Sequence, residues 1–316
     1  MKKLIKDILP NPILDQLKTL RSDETKIKMF ERLGYNVSRV EDYYSPLPTY
    51  STIKKNQPRW DKPSSMAGIK YDIASFQSHL TDLISKYGEE FKALPSYQEH
   101  RSIGFGPGYT EVDAFVQYMM IRNSKPRRYI EVGSGLSTYY CSLAAKRNQE
   151  EGASLKIKCI EPYPYNKLYT IENIEVVKDE IQNINKNIFL ELDVNDILFI
   201  DSTHVVKIDG DVPFLFLEVL PILKKGTLIH IHDIPFPFNT PYPSEYWITG
   251  KNWPKYWNEA MLLQAFLMFN DSFEIIQSTP MIRYYNEQFL KDNIPFYKTV
   301  KQEPNTFSSI WLKKVR

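Results

Sequence analysis

Three of the five histidines of this 316-residue chain fall in two polar stretches that each close an apolar run. LFIDSTH at 198–204 puts Asp201 and His204 just past one run, and GTLIHIHD at 226–233 ends the other in His230, His232 and Asp233. Imidazole titrates near neutral pH, so His204 and His232 are candidate bases, with Asp201 and Asp233 beside them. The period of two puts His230 on the same strand face as His232, but a histidine inside a strand is more often a hydrogen-bonded core residue.

A second constellation is EVGSGLST at 131–138. A β-rich run leads into Gly133-Ser134-Gly135, and a helical pattern follows. The glycines permit a tight turn and close approach to a ligand, and the helix start offers unpaired N–H groups. A dinucleotide fingerprint puts a third glycine where Thr138 stands. Glu131, two residues before Gly133, suits a ligand bearing an ammonium group rather than a pyrophosphate. The next strand ends in CIEP at 159–162, where Glu161 can accept hydrogen bonds from both hydroxyls of a ribose. Glu161 lies somewhat more than the usual ~20 positions past the glycines, and the polar stretch 146–154 accounts for the excess as a longer loop. Asp179, after the third strand, either binds the adenine side of the same ligand or belongs to a surface charge run.

The elements that must position these groups follow from periodicity. Ile73, Phe76, Leu80, Leu83 and Ile84 predict a helix over 72–87. Short helices are predicted over 13–20 and 25–33, and the Tyr- and Pro-rich stretch 41–63 reads as an ordered loop. From residue 110 helices (112–120, 138–147, 214–223, 256–269) alternate with strands (128–132, 155–160, 174–177, 197–200, 227–231), and strands 273–278 and 308–315 close the pattern. The wholly apolar 197–200 run predicts burial on both faces. Helix 214–223 ends in a cationic turn and a glycine, Lys224-Lys225-Gly226. This alternation implies an α/β fold with a parallel, doubly wound sheet, which binds ligands at the carboxyl ends of its strands. Residues 1–100 read as an N-terminal helical and loop extension forming a lid and acceptor wall. Tyr43, Tyr44, Tyr50 and Trp60 there, with Tyr242, Tyr246 and Trp247, offer stacking surfaces.

Composition excludes several classes. The net charge of +2 lacks the basic surplus of a non-specific nucleic-acid binder. Two cysteines, Cys141 and Cys159, rule out a disulfide framework and a zinc finger. No run approaches the ~18 apolar residues of a membrane span. A short interfacial helix using Leu4, Ile5, Ile8 and Leu9 is the alternative to a docked terminal helix, and a cytoplasmic location is expected.

The chain resembles the class I S-adenosylmethionine-dependent methyltransferases over about residues 105–316. EVGSG at 131–135, the acid of CIEP, DILFIDSTHV at 196–205 and KKGTLIHIHDI at 224–234 carry the likeness. WNEA at 257–260 and LLQAFLMFN at 262–270 are similar to an uncharacterised bacterial subgroup of small-molecule or glycan O-methyltransferase-like proteins. The resemblance implies a Rossmann-like sheet of seven strands with an antiparallel last strand, and a cofactor domain at 101–316. It implies that Glu131, Gly133, Ser134, Gly135, Ser137 and Thr138 surround the methionine part of the cofactor, and that Glu161 holds the ribose.

Methyl transfer from a sulfonium is an in-line displacement in which the acceptor also loses a proton. His204 or His232 could take that proton, with Asp201 in the same catalytic group. Metal-assisted O-methyltransferases place acids at these strand ends, so by position Asp201, His232 and Asp233 match ligands for Mg²⁺ or Mn²⁺. His232 stands where those enzymes have an acid, which leaves a softer ion or a metal-free histidine base open. No Asn/Asp-Pro-Pro-Tyr or Pro-Cys follows the fourth strand, which argues against methylation of adenine or of cytosine carbon. A small-molecule or glycan acceptor follows, without nucleic acid and with a homo-oligomer allowed. The rival readings are a catalytically silent cofactor-binding scaffold and a nicotinamide-dependent oxidoreductase, the latter disfavoured by the missing third glycine.

Overall fold

The computed structural model describes residue 12 and residues 23–40, 42–106, 108–304 and 306–316. The predicted helix 13–20, the interfacial helix around Leu4, Ile5, Ile8 and Leu9, and Glu41 lie outside them. Two compact units are present, Met1–Asn56 and Gln57–Arg316. In the first, α1 (Asp23–Arg32) begins with Asp23 and Glu24 and ends with Arg32, charges that suit the helix dipole. α2 (Tyr50–Lys55) is capped by Thr49, whose side chain accepts from Thr52 N. With α3 (Gln57–Trp60) it corrects the reading of 41–63 as a plain loop. Neither helix buries a residue, so no apolar period marks them.

The second unit starts at Gln57, so residues 57–100 are built into the sheet-bearing body. α4 (Ile73–Lys92) begins where Asp72 accepts from Ala74 N, and it buries Phe76, Leu80, Leu83 and Phe91. α5 (Tyr97–Ser102) opens with a reciprocal capping box between Ser96 and Glu99. α6 (Glu111–Ser124) is almost wholly buried and packs against α4. The parallel strands are β1 (Arg128–Val132), β2 (Lys156–Ile160), β3 (Ile174–Val177), β4 (Ile197–Ile200) and β5 (Leu228–Ile231), with α7 (Leu136–Glu150) between β1 and β2. Before β5, α8 (Asp211–Phe214) continues through a wide turn at Leu215–Val219 to Leu220–Ile222. α9 (Ser244–Trp247) and α10 (Glu259–Leu267) precede β6 (Phe273–Ser278). α11 (Thr279–Asn293) then leads to β7 (Ile310–Lys314).

The sheet order is β3-β2-β1-β4-β5-β7-β6, and β7 runs antiparallel to both neighbours. This is the expected α/β sheet, doubly wound and Rossmann-like, of seven strands with an antiparallel last strand. Strand order reverses beside β1, so the carboxyl ends of β1, β2 and β4 flank the switch point. None of the helices among the described residues is long and apolar enough to cross a membrane.

Asp196 fixes how β1 and β4 meet. Its Oδ1 accepts from Arg127 N and Arg128 N, both at 2.8 Å, and its Oδ2 from Asp193 N at 3.1 Å. The entries of the two strands are thereby level, and Val132 pairs with Ile200 at their exits. Asp196→Ala removes the acceptor of those N–H groups and is expected to cost about 2 kcal/mol in urea unfolding. An unchanged midpoint would contradict this role.

Candidate active site

At the exit of β1 the chain turns against the exit of β4. Asp201 N donates to Val132 O at 2.8 Å, and Gly133 N donates to Ile160 O at 3.0 Å. Gly133 has φ +82°, and a Cβ there would stand 2.1 Å from the Asp201 carbonyl oxygen. A Cβ on Gly135 would stand 2.7 Å from the Phe105 carbonyl oxygen. Both glycines are therefore required by the protein's own backbone. Glu131 is fully buried beneath the turn. Ser137 Oγ donates to its Oε1, and Thr138 Oγ1 donates to its Oε2 at 2.7 Å. Thr138 Oγ1 also accepts from Gly135 N at 3.1 Å. Burial raises the Glu131 pKa to about 8 against the hydrogen bonds that would lower it. Glu131, Ser137 and Thr138 thus shape the turn from below, and Glu131 presents no surface to a ligand's ammonium group.

Above the turn lies a cleft of about 560 Å³, bordered by Gly133, Glu161, Gln182 and Asp201. Glu161 accepts from Ser134 N at 3.2 Å and from Tyr163 N at 2.8 Å, which hold its carboxylate at the cleft wall. Ser134 Oγ is buried without a hydrogen-bond partner. Asp179 does not border the cleft. It accepts from Asn183 Nδ2 at 2.7 Å and from Glu180 N at 2.8 Å, organising the loop that presents Glu180 and Gln182.

Asp201 also belongs to the histidine cluster. His204 Nε2 lies 3.3 Å from Asp201 Oδ1 and 3.3 Å from Asp233 Oδ2. Its Nδ1 faces Glu259 Oε2 at 2.8 Å. His232 is held from behind in the same way, with Nε2 3.3 Å from Asp113 Oδ2 and Nδ1 3.4 Å from Asp201 Oδ1. Burial disfavours the imidazolium of His204, but hydrogen bonds to Asp201 and Glu259 win and raise its pKa to about 10. His232 is likewise raised well above its usual value, burial being overcome by Asp233 and Asp201. Burial would raise the pKa of Asp201, yet the charge of His232 and the hydrogen bond from His204 hold it far below the usual carboxylate range. Both imidazoles are recessed, whereas the side chains of Asp201 and Asp233 retain 33% and 22% of their exposure. Of these groups the two carboxylates are the more accessible, and the imidazoles lie deeper.

Ligand atoms of Asp201, His204 and Asp233 lie within 4.8 Å of one another. The converging trio has His204 where position suggested His232, whose Nδ1 lies close by, 3.4 Å from Asp201 Oδ1 and 3.7 Å from Asp233 Oδ1. His204 and Asp233 both adopt left-handed backbone, φ +60° and +56°. Such conformations are costly for non-glycine residues and recur at functional sites. The loop is stapled where the His204 carbonyl accepts from Asn258 N at 2.9 Å and Glu259 N at 3.1 Å. Ser308 Oγ donates to Asp233 Oδ1 at 2.8 Å.

Glu259 and Asp113 escape the sequence reading. Each is buried and reaches its histidine across 55 and 119 residues respectively, so no local spacing announces it. The one local signal is Thr110, which caps α6 by accepting from Asp113 N. His230 is a core residue, stacked on Trp311 with ring centroids 4.1 Å apart. Neither of its ring nitrogens has a partner, so it is not the hydrogen-bonded histidine that its strand position suggests.

Residues 130–234 match a family model described as a methyltransferase domain. An uncharacterised protein of Archaeoglobus fulgidus is 25% identical over 164 residues, covering 48% of this chain and 72% of its own. The O-methyltransferase TomG of Streptomyces achromogenes, solved with S-adenosylmethionine, aligns with TM-score 0.40 and 13% identity over 78% of this chain and 91% of its own. An O-methyltransferase of Bacillus cereus, solved with S-adenosylhomocysteine, aligns with TM-score 0.42 and 12% identity over 78% of this chain and 100% of its own. Structural likeness of this degree assigns no activity.

The raised pKa of Glu131 has a consequence for stability. Its folded value of about 8 exceeds the ordinary 4.5, so folding binds a proton between them. That contribution is complete below the ordinary value and is lost as pH rises through about 8. Glu131→Gln keeps the shape and removes the titration. The melting temperature of the variant should gain on that of the wild type as pH rises across this window in scanning calorimetry. Parallel curves would show that Glu131 is ionised throughout.

Proposed function

We propose that the protein is an S-adenosylmethionine-dependent O-methyltransferase acting on a hydroxyl of a small molecule or glycan, a reading supported by the match of residues 130–234 to a family model described as a methyltransferase domain. The observation that carries this reading is the double membership of Asp201. It borders the open cleft between Gly133 and Glu161, and it belongs to the convergent Asp/His cluster. A silent scaffold has no use for such convergence of titratable groups.

In this reading S-adenosylmethionine supplies an electrophilic methyl carbon on its sulfonium. Gly133 borders the cleft where the methionine part would lie, and the next residue, Ser134, carries a buried Oγ without a hydrogen-bond partner. Glu161, steadied by two backbone N–H groups, receives the ribose hydroxyls. Glu180 and Gln182, positioned by the Asp179 turn, face the adenine side. Thr138 in place of a third glycine, with its hydroxyl turned to Glu131, disfavours a dinucleotide.

The donor set fits a divalent ion. Glu259 occupies His204 Nδ1 and leaves Nε2 aimed at Asp201 and Asp233, the usual carboxylate-backed arrangement of a ligating histidine. His232 Nδ1, buried and without a hydrogen-bond partner, points at the same carboxylates. Asp201, His204 and Asp233 would hold the ion, whose charge lowers the pKa of a nearby hydroxyl. Mixed oxygen and nitrogen donors suit Mn²⁺ or a softer ion at least as well as Mg²⁺. His232 acts as the positioning residue that keeps Asp201 in place. Because both imidazoles are recessed, this ion-assisted route is favoured over a free histidine base.

Calorimetry with S-adenosylhomocysteine and with Mn²⁺ tests the reading. Wild type should bind both. Glu161→Ala should weaken S-adenosylhomocysteine at least about tenfold, the loss of roughly one good hydrogen-bonded anchor. Asp233→Asn should abolish Mn²⁺ binding and leave S-adenosylhomocysteine within about twofold. A wild-type chain that binds no S-adenosylhomocysteine would refute the proposal.

A further inference from the structure

Arg283, in the first turns of α11, is only 8% exposed. Among the described residues no carboxylate lies within ion-pair distance of it. Its Nη1 donates to the Phe307 carbonyl at 3.5 Å, the outer limit of a hydrogen bond. The guanidinium otherwise lies over two rings, 4.7 Å from the centroid of Phe307 and 5.2 Å from that of Tyr242. Burial pulls its pKa below the usual arginine value. A buried cation with most of its five donors unused destabilises a fold unless something pairs with it.

Arg283 borders a cavity of about 540 Å³. Pro235, Phe238, Tyr242 and Tyr284 form apolar walls, with the Phe238 and Tyr242 rings stacked at 4.2 Å. Glu287 also borders the cavity, but its carboxylate accepts from Lys291 Nζ and Tyr297 Oη, both at 2.7 Å, and not from Arg283. Exposed Lys301 adds a second cation at the rim. Chain segments that border the cavity or lie against Arg283 lead directly to the reacting centre. Pro235 stands two residues past Asp233, and Phe307, beneath the guanidinium, precedes Ser308, which binds Asp233 through Oγ and accepts from Ile234 N at 2.7 Å.

We propose that this cavity is an anion subsite for the methyl acceptor, in which Arg283 pairs with a carboxylate or phosphate while the aromatic walls hold the ring that bears it. The inference rests on the methyltransferase reading and narrows it: the acceptor is an oxyanion-bearing ring compound rather than a neutral glycan. A guanidinium lying over two rings is confined by them, and its planar fork of donors suits two-point binding of an oxyanion. Lysine at this position would keep the charge and lose the fork.

The test is calorimetric titration of 4-hydroxybenzoate, phenyl phosphate and neutral phenol into wild type, Arg283→Met and Arg283→Lys. Melting temperatures and S-adenosylhomocysteine affinities are measured alongside. At least one anion should bind wild type more tightly than phenol, and the preferred anion distinguishes carboxylate from phosphate. Arg283→Met should lose at least about tenfold in anion affinity, Arg283→Lys less, and phenol should not distinguish the three. The Met variant should melt at the same temperature as wild type or higher, because it removes an unpaired buried charge. Three results would overturn the proposal: no preference of wild type for either anion, undiminished binding by Arg283→Met, or unfolding of that variant, which would make Arg283 structural. Arginine-dependent anion binding in a chain that ignores S-adenosylhomocysteine would uphold the subsite and remove the methyltransferase reading. The reverse result would do the opposite.

Discussion

The contact between Gly133 and the Asp201 carbonyl organises everything above the sheet. No side chain fits between the two backbones, since even a Cβ would come within 2.1 Å of the carbonyl oxygen. The contact exists because β1 and β4 are parallel neighbours whose last residues, Val132 and Ile200, are paired. One strand exit therefore supplies a glycine turn and the other a carboxylate, at the same height and in touch. Separate them by one residue of register and the side chains beyond each exit change faces. The proposed cofactor cleft and the Asp/His cluster are in this sense one object with Asp201 as the hinge between its halves.

Electrostatics gives the cluster its character. Asp113, Asp201, Asp233 and Glu259 surround His204 and His232, with Asp113 and Glu259 fully buried behind the rings. Each ring has one nitrogen committed to a buried acid and the other turned to the two half-buried carboxylates. That directional arrangement fixes the orientation of each ring and brings one carboxylate of the cluster, Asp201, to the cleft. Left-handed backbone at His204 and Asp233 is held by neighbours on α10 and before β7. Those distant segments thus act on the reacting centre without reaching into it.

Much of this could be read in the residues alone. Strands 128–132, 174–177, 197–200 and 273–278 have the bounds their residues predict, and 197–200, apolar throughout, is buried at every position as a central parallel strand should be. The helix predicted over 72–87 runs on to Lys92 through the polar turn after Tyr87, whereas the one predicted over 256–269 is confined to Glu259–Leu267. α11 leaves no clean period because Asn286 departs from helical geometry within it, although Ser278 followed by Thr279-Pro280 is a start signal. The glycine turn, Glu161, Asp201, His204 and Asp233 were legible from local spacing. Glu259, Asp113 and Arg283 were not, because each matters through a contact made only after the chain has folded. Glu131 and Asp179 show the converse: their positions suggest ligand contact, and burial or local hydrogen bonding turns them inward to the turn and loop they support.

The most direct measurement of the central claim is a crystal structure of the protein with S-adenosylhomocysteine and Mn²⁺, using anomalous scattering to locate the metal. The account predicts ribose oxygens within hydrogen-bond distance of Glu161 and a manganese peak enclosed by Asp201, His204 and Asp233. Nucleoside density in another cavity, or a metal peak away from these three residues, would contradict it.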